Sequence, residues 1–386
     1  KTLRTSGTHL MFGASYVSKY QAYDASNAFY TTDPNTLQLM RYNVPEWVGA
    51  ADVRLRLQSH GWTALAEVAY KANDPSADNA VSANGTTRYL YNPGNALLLS
   101  LSYSRRGMSV IGQVKRSEYM SFRSDRTLRG IAGQLNHLPA FTAQQTYALA
   151  ALYPYATQMD GEWAFQGEVR YTWPRKTAMG GRYGTTLKLN ASHVRSLGQL
   201  NTETGGHGGF FDMRDTYYTD INLELNKKLS RTVYLNAMLM YQTYNQEQVE
   251  GHTEDGTGQL VRSIIGVADV KWSIARNVSL RAEMQYLYSA QAQGQWLYAL
   301  CEVSLWNRLM LSVSDMYNIG GNDYMRSRPT NEQHLHYYNL SAGFTQGAHR
   351  LQIGYCRTRA GYNCSGGVCR YVPAQRGAFV NYTMSW

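Results

Sequence analysis

Segments of about ten residues in which every second side chain is apolar recur along the whole chain, and no apolar run approaches the roughly 20 residues of a membrane helix. The clearest pair lies in YYTDINLELNKKLSRTVYLNAMLMYQTYNQ. There Thr219, Ile221, Leu223 and Leu225 alternate with Asp220, Asn222, Glu224 and Asn226. Beyond a turn near Ser230, Val233, Leu235, Ala237, Leu239 and Tyr241 alternate with Asn236, Met238 and Gln242. Successive side chains of a strand point to opposite faces, so this reads as an antiparallel hairpin with one apolar and one polar face. SLRAEMQYLY and WAFQGEVRYTW repeat the pattern. Such segments, separated by turns, are the signature of a transmembrane β-barrel.

The alternation predicts strands over 9–21, 48–59, 62–73, 96–105, 108–121, 162–173, 182–195, 216–228, 232–246, 260–273, 278–290, 295–306, 309–319, 333–345, 348–359 and 375–386. The expected fold is therefore all-β: one antiparallel up-and-down barrel over 1–386, with about 16 strands (14 as the alternative) and no plug domain ahead of the first strand. Short connections such as SHG, SRRG and TQGA trade places with long ones near 22–47, 74–95, 122–161, 196–215, 247–259, 320–332 and 360–374. Bacterial outer-membrane barrels pair short periplasmic turns with long extracellular loops in this way. A propeller would show an internal repeat of about 40 to 50 residues, and the chain has none.

Composition agrees: 31 tyrosines and 34 glycines against 9 prolines suit strands and tight turns. Trp62, Trp173, Trp272 and Trp306 stand beside short turns, where an indole bridges lipid and water. The chain ends RGAFVNYTMSW, an alternating strand closed by a tryptophan. Gly377, Tyr382 and Trp386 match the spaced terminal pattern that barrel-assembly machinery reads in such proteins. No secretory leader opens the chain, so any leader is expected to have been removed.

The net charge of +10 is placed rather than spread. Arg105, Arg106, Arg175, Lys176, Lys227, Lys228, Arg231, Arg276 and Arg308 crowd the short turns, where they meet lipid phosphates. With no nucleic-acid motif, the basic balance reads as membrane anchoring to outer-membrane lipids and lipopolysaccharide. On the polar face of the strands Arg54, Arg56, Glu168, Arg170, Lys188, Asp220, Glu224, Arg281 and Glu283 nearly balance in sign. They suit either a water-filled pore of weak ion preference or a salt-bridged interior.

The third long loop, 122–161, begins basic with Arg123, Arg126 and Arg129 and turns apolar through Phe141, Leu149, Leu152, Tyr147, Tyr153 and Tyr155. Long loops of such content are functional. The reading preferred here folds it into the barrel as a constriction with the arginines as its charged edge; the other makes it an apolar cap covered by surface lipoproteins or another barrel.

Cys364 and Cys369, in NCSGGVC, are spaced to close a small disulfide loop in an oxidising compartment. No partner CxxC supports a metal site, and no cofactor is implied. The nine histidines belong to no hydrolase motif, and no triad can be assembled, so the chain reads as a non-enzyme. His334 and His336 share one side of a strand but lack a third ligand, which makes polar surface the simpler reading.

NPGNALLLSLSYSRRG, EYMSFRSDR, LPAFTAQQTYALAALYPYATQ and GGRYGTTLKLN resemble segments of an uncharacterised outer-membrane β-barrel family of the Bacteroidota, a domain of unknown function. The resemblance spans most of the chain. It implies a barrel in the outer membrane of a Gram-negative bacterium and supplies neither an activity nor site residues. Family members are expected to carry a longer segment ahead of the first strand. The function expected is porin-like passive diffusion of small polar solutes; the alternative is a non-conducting barrel subunit of a larger complex.

Overall fold

The structure is a computed structural model and describes residues 2–5, 7–24, 29–32, 38–76, 80–83, 86–89, 91–128, 132–198, 208–250, 260–320, 334–365 and 368–385. Sixteen long strands follow one another: β1 Thr8–Tyr20, β2 Trp47–Ser59, β3 Trp62–Lys71, β4 Gly94–Arg105, β5 Met108–Glu118, β6 Gly161–Trp173, β7 Thr185–Leu197 and β8 Met213–Lys228. The second half comprises β9 Val233–Tyr244, β10 Val261–Ala275, β11 Val278–Ser289, β12 Gln295–Leu305, β13 Leu309–Gly320, β14 His336–Gln346, β15 His349–Thr358 and β16 Gln375–Met384. Each pairs antiparallel with the next, as an up-and-down barrel requires. All sixteen predicted strands are present, with ends shifted by about three residues at most.

The register puts every predicted apolar face on one side. In β7 and β8, Leu189 opposes Leu223 and Ala191 opposes Ile221, while Lys188 opposes Glu224 and Asn190 opposes Asn222 on the other face. Val53, Leu101, Val169, Ile221, Ile264 and Val380 are among many large apolar side chains left exposed on the first face. In water each would forgo about 1.5–3 kcal/mol of burial; a continuous band of them suits hydrocarbon. Trp62 and Tyr70 mark its two margins in β3, eight residues or about 26 Å apart along the strand. That approaches the apolar height of an outer-membrane barrel, about 25 Å.

The opposite face is the interior, because the third long loop touches it at β5, β9 and β11 and also meets Arg359 beyond β15. Only a rolled sheet brings those strands within reach of one loop. The segment Thr2–Thr5 folds back along β1, pairing Thr2 with Met11 and Thr5 with Thr8. Gly7 makes that reversal at a positive φ of 77°. Short hairpins, 30–32 with 39–41, 80–83 with 86–89 and 361–365 with 368–372, project from three long connections, and Gln246–Glu250 is one helical turn. The alternation had shown none of these, since three to five residues carry too little period to read. No helix among the described residues is long and apolar enough to cross a membrane.

Candidate functional site

The third loop leaves β5 at Tyr119, which takes a positive φ of 49° and turns the chain inward. Its two limbs stay paired for two more residues: the Tyr119 amide donates to Asp160 and the Met120 amide to Met159. Gly94, at the start of β4, lies against this hinge; a Cβ there would come within 2.3 Å of the Tyr119 carbonyl oxygen. Burial at the hinge pushes the Tyr119 phenol up to about 12.

The first limb is fastened to the wall by charge. Asp74, just beyond β3, pairs with Lys19 of β1 at 2.6 Å and also accepts from the Arg126 guanidinium. Arg126 donates in addition to the Pro45 carbonyl, and its amide donates to Gln21. Next to it the Asp125 carboxylate accepts from the Thr127 amide and hydroxyl, which hold its pKa below the usual carboxylate range. Arg123 donates to the Ala132 carbonyl at 3.0 Å. Arg123 and Arg126 were expected as the charged edge of a pore, and that expectation is corrected: they are 5% and 4% exposed. Both are spent on internal partners, because a buried guanidinium is stable only when its donors are satisfied. Arg129 lies outside the described residues.

The second limb crosses the interior. Phe141, Leu149, Leu152, Tyr153 and Tyr155 are buried against Met238, Met240, Ile265, Val267, Leu287 and Trp296 of β9–β12. Three bonds anchor it: the Leu149 amide donates to Gln285 at 2.8 Å, Gln242 donates to the Tyr153 carbonyl at 3.1 Å, and Arg359 donates to the Leu152 carbonyl at 3.0 Å. Tyr147 packs against the same cluster; burial first, then the nearby Asp269 and Glu283 carboxylates, push its phenol up to about 12. At the return to β6, Lys115 pairs with Glu162 at 2.7 Å, both fully buried. Lys115 also donates to the Pro139 carbonyl at 2.6 Å and to Thr157 at 2.9 Å. Glu162 accepts further bonds from the Tyr155 hydroxyl and the Gln158 amide.

Sequence reasoning missed the receiving surface for this loop. Met238, Met240, Ile265, Val267 and Leu287 occupy interior positions. The signal was there: in LNAMLMY and SIIGVADV the alternation lapses into continuous apolar runs, the mark of a strand covered on both faces.

The expected interior charges fall on the interior face, from the middle of their strands toward the short turns. Arg281 is a hub that donates to Asp269 at 3.1 Å, to Glu302 at 3.0 Å and to Glu283. Lys188 pairs with Glu224 across β7 and β8. Asp220 is buried and accepts from Asn222 at 2.7 Å and Asn190 at 3.1 Å. Arg56 and Arg170 are exposed to the interior and Glu168 is half-buried. Arg54 is exposed too and donates to Asp52 at 3.1 Å. Lys188, Glu224, Arg281 and Asp220 are thus tied across strands.

Because the loop's second limb lies against β6–β12, space remains on the other side. A cavity of about 560 Å³ separates loop residues 135–141 from β1–β5. Ser15, Asp52, Glu67, Ser100 and Gln113 line its wall, and Leu135, His137 and Phe141 line its loop side. The interior is therefore narrowed by the loop at one level, with a charged, wetter chamber toward the short turns.

Compared with protein families, the chain matches over residues 1–386 the one described as a family of unknown function, DUF6029. The chain belongs to that family. No curated protein matches it. Similar solved structures include a mutant ferric enterobactin receptor of Pseudomonas aeruginosa, at 11% identity and a TM-score of 0.43, covering 98% of this chain. This chain spans 59% of that receptor's length. Salmonella typhi OmpF in complex with daunomycin is 12% identical with a TM-score of 0.38, covering 100% of this chain and 99% of OmpF. A mutant porin of Rh. blastica is 9% identical with a TM-score of 0.34, covering 97% and 99%. The fold described above rests on the strand ladder itself.

The remaining expected residues of this family member are placed as follows. Gly377 faces the interior opposite Cys356, and Tyr382 stands on the outer face, where it meets His349 Nδ1 at 2.6 Å. Trp386 lies outside the described residues. Cys364 and Cys369 are register partners in the 361–372 hairpin; their side chains lie outside what is described. His336 pairs with Asp315 at 2.7 Å and stacks on Tyr317, and His334 meets the Tyr317 hydroxyl at 3.3 Å. Among the described residues no group of three His, Cys, Asp or Glu converges to hold a metal.

Proposed function

We propose that the protein is an outer-membrane channel for passive diffusion of small polar solutes in a Gram-negative bacterium, of the Bacteroidota as the family resemblance implies. Its short turns face the periplasm and its long loops the exterior. The observation that carries this reading is the third loop, pinned against one wall so that a gap remains along β1–β5. Buried ion pairs near β1, β3 and β5 fix the two ends of the loop, and the apolar second limb packs on the far wall, so the gap lies between fixed surfaces. The constriction is then the edge of residues 135–141 facing Asp52 and Glu67, not the arginines. Conductance of the purified barrel in a planar bilayer tests this. Discrete steps that grow when 130–157 are deleted support it, and a silent bilayer with the barrel inserted refutes it.

A second reading keeps the barrel as a non-conducting subunit that binds lipoproteins or another barrel. The third loop gives it little, since its apolar side chains are buried inside. What favours it is a rim patch: Phe211 is 75% exposed and Phe210 is exposed beside it, both against Trp163. A partner that stays with the barrel through mild detergent, and leaves when Phe210 and Phe211 become serine, supports that reading. Biogenesis through the barrel-assembly machinery and packing against lipopolysaccharide belong to either one.

A further inference from the structure

The gap along β1–β5 is unlike the chamber below it. Register sets Ser15 beside Asp52, Glu67 beside Leu98, and Ser100 between Leu65 and Gln113, so polar groups from three successive interior rows of this part of the wall face the gap. Leu135, Leu138 and Phe141 of the loop form an apolar surface across from them. Leu135 is 41% exposed although it is a leucine inside a barrel, because the cavity is what it faces.

The charge facing the gap has a sign. Asp52 and Glu67 line it together with His137, and Arg54 sits one interior position nearer the short turn than Asp52 and bonds to it at 3.1 Å. Two lysines lie behind the aromatic rings, Lys115 by Phe141 at 5.6 Å and Lys19 by Phe122 at 5.8 Å. Lys115 pairs with Glu162, and Lys19 shares Asp74 with Arg126. Among the described residues, the lining of this mostly apolar cavity carries two carboxylates and no lysine or arginine. Its volume, about 560 Å³, falls within the range of small-molecule sites.

We infer that this gap is a binding site for amphipathic organic cations: an amine or quaternary ammonium held by Glu67 and Asp52, with an aromatic or branched alkyl body against Leu98, Leu135, Leu138 and Phe141. The inference deepens the channel reading and rests on it for the passage of such a solute; the binding step needs only that the gap be reachable from one side. Small apolar anions are repelled by the same carboxylates, and neutral analogues lose the charge-assisted contact. Glu67 supplies the discrimination: it stands opposite Arg54 in register, but the guanidinium bonds to Asp52.

Titration calorimetry on the purified barrel in amphipol tests this with three probes of similar body: benzyltrimethylammonium, benzyl alcohol and benzenesulfonate. The expected result is saturable binding of the cation, at least tenfold tighter than either of the other two. Glu67→Gln should weaken the cation about tenfold, equivalent to about 1.4 kcal/mol, and Glu67→Asp should keep most of the affinity. Leu135→Ser, a change at an exposed loop position, should weaken benzyltrimethylammonium while leaving tetramethylammonium unchanged. Equal binding of all three probes by the unaltered protein overturns the inference whether or not any variant folds, and so does an unchanged affinity in a folded Glu67→Gln. A barrel that binds the cation yet never conducts would overturn the channel reading alone; one that conducts without cation preference would overturn this inference alone.

Discussion

Replacing Lys115 by methionine keeps the volume and removes the charge. In the intact protein Lys115 and Glu162 are both 0% exposed and 2.7 Å apart. The variant leaves the Glu162 carboxylate buried without its cation, and leaves the Pro139 carbonyl and Thr157 hydroxyl without the donor they share. Breaking one side of a buried pair costs about 3–5 kcal/mol. Glu162 still accepts from the Tyr155 hydroxyl and the Gln158 amide, which puts the cost at the lower end, about 3 kcal/mol. The strand ladder does not depend on this pair, so the cost should fall on loop docking. The undocked population then rises about 150-fold. Limited chymotrypsin cleavage between Tyr147 and Tyr155, with electrophoretic heat-modifiability as the check that the barrel is intact, measures it. The double variant Lys115→Met, Glu162→Met removes both charges and should recover most of the protection, because the penalty is a stranded charge rather than a lost attraction. A double variant cleaved as fast as the single one would refute that reasoning, and an unchanged rate in the single variant would show that the pair does not hold the loop.

Asp74→Asn strands Lys19 and Arg126 together at the other end of the loop and should expose Arg126 to trypsin, at a cost of about 3–5 kcal/mol; an unchanged tryptic pattern counts against the clamp. The Tyr119 and Tyr147 phenols, raised by burial to about 12 in the docked loop against about 10 in an unfolded chain, make docking alkali-sensitive. Their folded pKa is the higher one, so the stability they contribute is complete below about pH 10 and is lost as pH rises through about 12. Phenolate absorbance and loop cleavage should therefore rise together over that window, and phenolate forming near pH 10 with the loop still protected would contradict it. Ile353→Arg, at an exposed mid-strand position on the apolar face of β15, should destabilise the inserted barrel by about 2–4 kcal/mol, measured by urea unfolding in vesicles; a neutral effect would mean that this face does not meet lipid.

The strands were legible because alternation reports one thing well: which side chains share a face. Leu223 and Glu224 cannot both point outward, and wherever the outward set was apolar the hydrocarbon boundary followed. Alternation does not report what covers the other face. Met238 sits in an interior slot that reads as wet until Leu149 and Tyr153 are found pressed on that side of β9 and its neighbours. Arg126 read as a solvent-facing basic residue because its partner, Asp74, stands 52 residues earlier, in a different connection. Pairings between loops leave no local period in the chain, and so the burial of Arg123 and Arg126 could not be read from it.

The third loop's anchors also fix an order of events. Its backbone is held by Gln242, Gln285 and Arg359, which follow their partners Tyr153, Leu149 and Leu152 by 89, 136 and 207 residues. The segment that narrows the interior is thus synthesised well before the wall that grips it. Until β9–β12 have joined the sheet, its apolar limb has no surface to bury. The interior can therefore take its final form only when Gln242, Gln285 and Arg359, the last of them in the final quarter of the chain, are all in place.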